Sequence, residues 1–545
     1  MNKVIGCSLW VGGYCHDKKM IKFDYHLSMR KLYNLFISVI FLSHALHAQT
    51  WSEDVASIIY NNCSSCHRPG GIGPMSLMSY DEAYANRFSI KSAVQSRHMP
   101  PWPPDPSYTK FTDQRVLSAG QISSIVNWVN NGASRGNVTN EPQPPTSPKN
   151  NLGAPDKTMK MPDYVSKAQD KDVYMCFVLP SDLTQDKMAS AIEVIPGNAS
   201  IVHHVLVYQD TTLQKRARQL DQQSTEPGYI SFGGIGVSSA ILLDAWVPGS
   251  VTRKLPTIFG RKLYKNSDIV IQIHYPAGSV GQLDSTKVRL YYNSNQQARE
   301  VSLAPILNHS SSLTNGPLFI QANTIKTFDA LFTTPPVNAT ILSVAPHMHL
   351  IGESIKVWGN KAVTNDTIPL IDIPHWDFHW QGSYVFQKPV ILPPQTKLRA
   401  RASYNNTNTN PHNPSFPPVN VSLGEETNDE MMLVYFAYTL YQPGDENIIL
   451  DSTLLITPVN EWDRQVGKLQ VFPNPVSSYI QFMNPDQHEE AVVSLWDMTG
   501  RKVMERKLSH QYFVQLPTTD LSNGLYRIYL KSNKGIRTSQ ILIRK

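Results

Sequence analysis

Apolar residues change their spacing several times along the chain, and each change marks a different kind of structure. Leu35 to Leu42 is almost continuously apolar, yet too short to cross a bilayer, which takes about 20 residues. Beyond it, apolar positions recur at helical spacing in Ser52–Tyr60 and Ser118–Asn130, on either side of a stretch broken by Pro69-Gly70-Gly71 and Pro100-Pro101-Trp102-Pro103-Pro104. This predicts a small helical domain over 51–136. Residues 137–158 are a proline-rich linker. From 159 to 460 the pattern becomes short apolar or alternating runs between turn residues: Ile201–Tyr208, Asp268–Tyr275, Thr340–Ala345, Lys397–Tyr404 and Met432–Tyr438. So long a series of strands predicts two β-sandwiches, 159–305 and 306–460. Residues 466–545 predict a further small β-sandwich, opening with Phe472-Pro473-Asn474-Pro475. No internal repeat is evident, and the expected class is mainly β.

Composition adds a compartment. The 545 residues are 41% hydrophobic and 10% aromatic, enough for real cores, and 39 prolines against 29 glycines favour loop-rich β structure over helical bundles. Met29-Arg30-Lys31, the apolar run, and His47-Ala48 before Gln49 form the three parts of a secretory signal over 29–48. A buried N-terminal helix is the alternative. Residues 1–28, with Cys7 and Cys15, read as an upstream extension that is not part of the native protein. Cys63, Cys66 and Cys176 then remain, so an exported chain lacks a disulfide framework and its first two cysteines need another use. The net charge of +6 sits at the two ends, leaving 49–464 slightly acidic. A basic face for nucleic acid is not supported there.

Cys63-Ser64-Ser65-Cys66-His67 is the c-type haem attachment pattern: two thiols to bond the haem vinyls and a histidine to ligate the iron. A redox dithiol is the alternative, disfavoured by the trailing histidine; a zinc site would need more ligands nearby. Arg97-His98-Met99-Pro100-Pro101-Trp102 offers a second axial ligand, Met99 or its rival His98. Met75 and Met78 are expected to fill core gaps. Residues 55–136 resemble the small cytochrome c domains that carry Arg-x-Met-Pro-Pro-Trp after the attachment motif, and the resemblance selects Met99.

Three histidine groups fall within β-type runs: His203-His204, His274, and His347-Met348-His349. Side chains alternate along a strand, so His347 and His349 face one side and can share a metal. His203 and His204 would point oppositely in a regular strand, and need a bulge or a strand end to act together. Imidazole suits copper, zinc, iron or nickel. Glu430-Met431-Met432 adds a thioether, which favours Cu(I), although a methionine so placed is by spacing more often core. His309 and His412 read as surface residues. Pro374-His375-Trp376-Asp377-Phe378-His379-Trp380 is dense in aromatics, as a brace for the domain or as a pocket lining, with bracing preferred.

His-His, the isolated histidine of the His-Tyr strand, His-x-His followed by Leu-x-Gly, and Asp-Glu-Met stand in one order over 165–455. In that set the chain resembles the type II, ascorbate-dependent copper monooxygenases, the peptidylglycine and dopamine β-monooxygenase family. The resemblance implies two jelly-roll-like sandwiches and two copper ions. His203, His204 and His274 correspond to the ligands of the electron-transfer copper. His347, His349 and Met431 correspond to those of the oxygen-activating copper, and Tyr435 to a substrate-pocket tyrosine. The family's carboxylate-gripping arginine is Ala345 here, the cysteine after the ligand methionine is Met432, and Cys176 has no disulfide partner. A peptide ending in glycine is therefore not the expected substrate.

The implied activity is hydroxylation of a C–H bond of a small-molecule or peptide-like substrate with O₂. Electrons would come from ascorbate or a redox donor protein, by way of the covalent haem c. A non-catalytic haem/copper electron carrier and a surface-displayed binding module are the alternatives. Residues 469–545 resemble the type IX secretion sorting domains of Gram-negative bacteria. The resemblance rests on Val471-Phe472-Pro473-Asn474-Pro475, Asp497-Met498-Thr499-Gly500-Arg501 and Leu521-Ser522-Asn523-Gly524-Leu525-Tyr526. It implies contact with that secretion machinery and a final place outside the cell or on its outer surface.

Overall fold

The computed structural model describes residues 49–145, 152–450, 466–484, 490–497, 501–532 and 535–545. The expected signal 29–48 and the extension 1–28 lie outside the described residues, as does part of the linker. Among the described residues no helix is long and apolar enough to cross a membrane. The chain forms two compact units. One holds 49–68, Met75–Met99 and Leu117–Pro145; the other holds Pro69–Pro74, Pro100–Val116 and everything after the linker.

In the helical unit, the Thr50 side chain accepts from Glu53 N and opens a turn, Trp51–Val55, that continues as the helix Ala56–Asn62. Ser79 caps Tyr80–Ala85, and Arg87–Gln95 follows. Ser118 and Gln121 form a reciprocal capping box for Ala119–Asn130. Apolar faces converge on Trp51, Ile59, Val94, Ile125 and Trp128, with the Trp51 ring 5.9 Å from Trp128 and 5.6 Å from Tyr60. Large aromatics give so short a unit much apolar surface to bury per residue.

Residues 100–116, expected inside the helical domain, belong to the β unit instead. Their prolines lack the amide donors a helix needs. Trp102 and Phe111 pack on Tyr384 and Phe386 of the second sandwich, and Thr112 N donates to Val385 O at 2.8 Å.

The β unit begins with a two-sheet sandwich. One sheet orders its strands Lys157–Lys160, Lys287–Tyr292, Lys187–Ile195, Phe259–Leu263, Arg299–Glu300; the other orders Tyr229–Ile230, Val173–Pro180, Asp268–Tyr275, His204–Asp210, Ile241–Trp246. Inward residues of both, such as Ile192, Val194, Val205, Ile271 and Ile273, share one core. A second sandwich starts at Ser302. It sets Ser302–Asn308, Leu433–Leu440, Ala339–His347, Tyr384–Leu392 against Thr324–Thr333, Lys397–Asn406, Gly352–Asn360, Thr367–Ile373. Its core includes Val344, Phe436, Val357 and Ala400. The chain changes sandwich at Val301, a few residues before the expected 305.

The two sandwiches are tied by an ion pair whose carboxylate is buried. Arg299 grips Asp445 with both arms, at 2.6 and 3.0 Å, and Thr340 donates to the same carboxylate at 2.6 Å. Burial alone would push the Asp445 carboxyl up, but these donors hold it below its usual value. The C-terminal segment forms a third two-sheet body whose core includes Ile480, Val493, Val514, Ile528 and Ile541.

Candidate metal centres

Strand register assembles the first cluster. Tyr174, His274 and His204 stand directly opposite one another on three neighbouring strands, while Ile273 and Val205 point into the core. A cross-strand row places the rings side by side. His203 precedes the strand His204–Asp210, and its N–H donates to His274 O at 3.0 Å. That strand end lets two adjacent histidines serve one face. One ring nitrogen from each of His203, His204 and His274 lies within 4.8 Å of the others.

The nitrogens are free to bind. His203 Nδ1 and His204 Nδ1 are 3.3 Å apart, which is roughly the separation of two nitrogens held about 2.0 Å from one tetrahedral ion. His274 is 2% exposed; its Nε2 lies 3.2 Å from Asp172 Oδ2 but out of line for a hydrogen bond, and neither ring nitrogen has a hydrogen-bond partner among the described residues. Leaving such groups unpaired costs about 1–3 kcal/mol each, a cost that an ion would remove. Desolvation, with His274 next in order, depresses His203 to about 3, and desolvation holds His204 well below its usual value. Both rings are therefore neutral and hold lone pairs at ordinary pH.

Loops build the second cluster around a strand end. His347 closes the strand Ala339–His347, and His349 follows in the turn, with ring centroids 5.1 Å apart. His347 Nδ1 meets Gln381 Oε1 at 2.5 Å, and Gln381 Nε2 donates to Phe378 O at 3.0 Å, which fixes the amide orientation. His349 Nδ1 meets Asp429 O at 3.1 Å. Carbonyl oxygens can only accept, so both Nδ1 atoms carry the proton and both Nε2 atoms carry the lone pair. Burial depresses these rings as well, His347 to about 3 and His349 to about 4.

Glu430 joins the pieces. Its fully buried carboxylate accepts from His349 N and Ile351 N at 2.9 Å and from Met431 N at 3.2 Å, so one side chain suspends the backbones of a histidine and of the methionine. Burial pushes its carboxyl up to about 8 against the pull of those N–H donors. Met431 is buried, and its carbonyl is held by Tyr404 OH at 2.7 Å. Tyr435 stands opposite Ala345 in register, half-buried, with its phenol raised to about 12 by burial. His309 is half-buried and its Nδ1 accepts from Met432 N at 3.2 Å, so the surface expectation fails for it and holds for His412.

The helical unit presents the third group. His67 N donates to Cys63 O at 3.0 Å, and His67 Nδ1 meets Met75 O at 3.1 Å, which leaves Nε2 with the lone pair. Cys63 and Cys66 are free thiols. Desolvation, then the neighbouring Cys66, pushes the Cys63 thiol up to about 12. Met99 follows Arg97, which has φ 57°, and its N–H donates to Ala93 O at 3.1 Å. Met75 packs against the helical core.

Sequence reasoning passed over Asp172, Tyr174 and Gln381, which carry no motif of their own. Glu430 is likewise unmarked by its local sequence, since its task depends on the backbone of His349 and Ile351. The aromatic segment divides: Trp376 is a core brace, bonded to His349 O at 3.2 Å, but Phe378 lies against His203.

Residues 470–544 match the family described as secretion system C-terminal sorting domain. This segment is a type IX sorting domain. The chain is therefore exported, to the cell surface or the extracellular space, and engages the type IX secretion machinery. No functionally curated protein matches the chain in sequence.

Among solved structures, the BSP domain of a biofilm-associated protein is 11% identical, with 73% of this chain and 84% of that one covered and a TM-score of 0.14. The glycosylasparaginase PNGase F from Flavobacterium meningosepticum is 12% identical over 53% of this chain and 100% of that one, with a TM-score of 0.21. A Parabacteroides merdae β-glucuronidase is 9% identical over 44% and 31%, with a TM-score of 0.11. Likenesses this slight carry no argument.

Proposed function

We propose that this exported protein is a copper-dependent monooxygenase that hydroxylates a C–H bond with O₂, with electrons supplied through a covalently bound haem c, ascorbate or both. The observation that carries the reading is the pair of histidine clusters, each offering desolvated rings with ring nitrogens left without a hydrogen-bonded proton acceptor. His203, His204 and His274 would hold one copper; His347, His349 and Met431 would hold the other. A thioether in the second set suits Cu(I). When bound, the coppers and the haem supply one-electron chemistry and oxygen activation that no side chain here can provide.

The protein's own part is placement. Gln381 and Asp429 O set the tautomers of the second pair, Glu430 fixes the spacing between His349 and Met431, and Asp172 and Tyr174 frame His274. Ala345 opposite Tyr435 leaves no cation at that point to grip a substrate carboxylate, which favours a substrate without one. Cys63, Cys66 and His67 would hold the haem. The raised Cys63 thiol argues against a redox dithiol, because reactive thiols of that kind have lowered values.

The deciding measurement is the copper-to-haem ratio of copper-reconstituted protein, followed by substrate-dependent O₂ uptake. Two coppers per haem, falling to one in His347→Ala, support the proposal. One or none in folded protein would leave a haem carrier or a binding module.

A further inference from the structure

The two clusters meet at one aromatic ring. Phe378, on the short turn Phe378–Trp380, stacks on His203 with centroids 4.8 Å apart and planes at 20°, and meets His349 edge-on at 5.8 Å and 80°. The same turn supplies Gln381 to His347.

A second thread runs beside it. Asp172 lies 3.2 Å from His274 Nε2, takes Ala277 N at 3.0 Å, and accepts both the N–H and the hydroxyl of Thr427 in the second sandwich. Burial would raise its carboxyl, but those contacts hold it well below the carboxylate range. Thr427 is two residues from Asp429, whose carbonyl holds His349 Nδ1. Tyr174 adds a third thread: its ring stacks on His274 at 4.3 Å, and its hydroxyl donates to Glu425 O at 2.8 Å.

We infer that Phe378 and Asp172 are positioning residues that couple the two clusters, so that an ion in either site strengthens binding at the other. The inference rests on the two-metal reading. An ion in the first cluster immobilises the His203 and His274 rings. Each has a neighbour that reaches the second cluster, Phe378 against His349 and Asp172 against the Thr427 loop. Ordering at the first site thus lowers the conformational entropy still to be lost at the second. Linkage requires the effect to be equal in both directions.

The test is an anaerobic competition titration of copper(I) against a chromophoric chelator, using the haem-loaded protein. In the wild-type background, His204→Ala should weaken the second site by about 5-fold or more, within the usual range for coupled sites. His347→Ala should weaken the first site by the same factor. In a Phe378→Ala/Thr427→Val background the factor should collapse toward one, while Phe378→Tyr, which keeps the ring, should preserve it. Should Phe378→Ala fail to fold, Phe378→Leu keeps bulk without a ring face and is read in the same way. Two ions that bind independently, or a factor that survives Phe378 and Thr427 replacement, overturn the coupling and leave the two-metal reading intact. Absence of bound copper in folded wild type removes both, and is distinguished by its stoichiometry.

Discussion

The cluster of His203, His204 and His274 is assembled by strand register, whereas the pair His347 and His349 is held by loops. In the first, two rings come from paired strands and the third from a strand end, so the sandwich core itself aligns them. His203 and His204 have only each other's Nδ1 at 3.3 Å, and the buried His274 has no aligned hydrogen-bond partner among the described residues. In the second, each imidazole leans on an oxygen from a distant loop, and a buried carboxylate ties the histidine turn to the methionine. A register-built cluster aligns its rings but leaves the His274 nitrogens without aligned partners among the described residues. A loop-built site is arranged in advance by its neighbours, and so depends on more residues that do not touch the ion.

The largest expected effect lies in the first cluster. His274→Ala should abolish one bound copper per chain, as measured by metal analysis after reconstitution, because the remaining rings span only one strand and its end. Retention of both coppers would mean that the strand row is not the site.

Next comes the docking of the sandwiches, on which any relation between the clusters depends. Asp445→Asn takes the charged partner from the part-buried Arg299, which keeps only Leu440 O, and should cost about 1–3 kcal/mol in urea unfolding. Because the folded Asp445 carboxyl lies below its unfolded value of 3.8, its contribution is present above that pH. It should be lost as pH falls through the lower, folded value. A flat acid limb that Asp445→Asn leaves unchanged would contradict this.

Smaller again, Glu430→Gln puts an amide N–H₂ against backbone donors. It should weaken copper at the second site about 10–100-fold, the usual range for residues that orient ligands. Direct competition titration, comparing the two sites, would show whether the loss is confined to the second. The smallest effect belongs to His412→Ala, a surface control that should move stability by less than about 0.5 kcal/mol and leave both coppers in place.

Much of this was legible in the chain. The expected runs at Asp268–Tyr275, Thr340–Ala345 and Lys397–Tyr404 lie on observed strands, that at Met432–Tyr438 does so from Leu433 on, and the helix expected over Ser118–Asn130 begins at its serine cap. Period-two and period-3.6 patterns are local, so one sequence suffices to read them. The need for a bulge or a strand end at His203-His204 was legible for the same reason; the structure has the strand end. The partners Gln381, Asp172 and Phe378 were not, since each acts on a residue dozens of positions away and nothing in its own neighbourhood marks it. Residues 100–116 were misassigned because sequence adjacency joined them to the helices, while Trp102 and Phe111 found their burial on Tyr384 and Phe386.

By itself, then, the sequence determined the order of helical and β regions and the address of export, because these are written in local spacing and short motifs. Only the tertiary structure decided which ring nitrogens stay free, which buried carboxyl holds the backbone around His349 and how near the clusters lie. Those outcomes depend on contacts between segments distant in the chain, and burial turns each such contact from a detail into an energetic requirement.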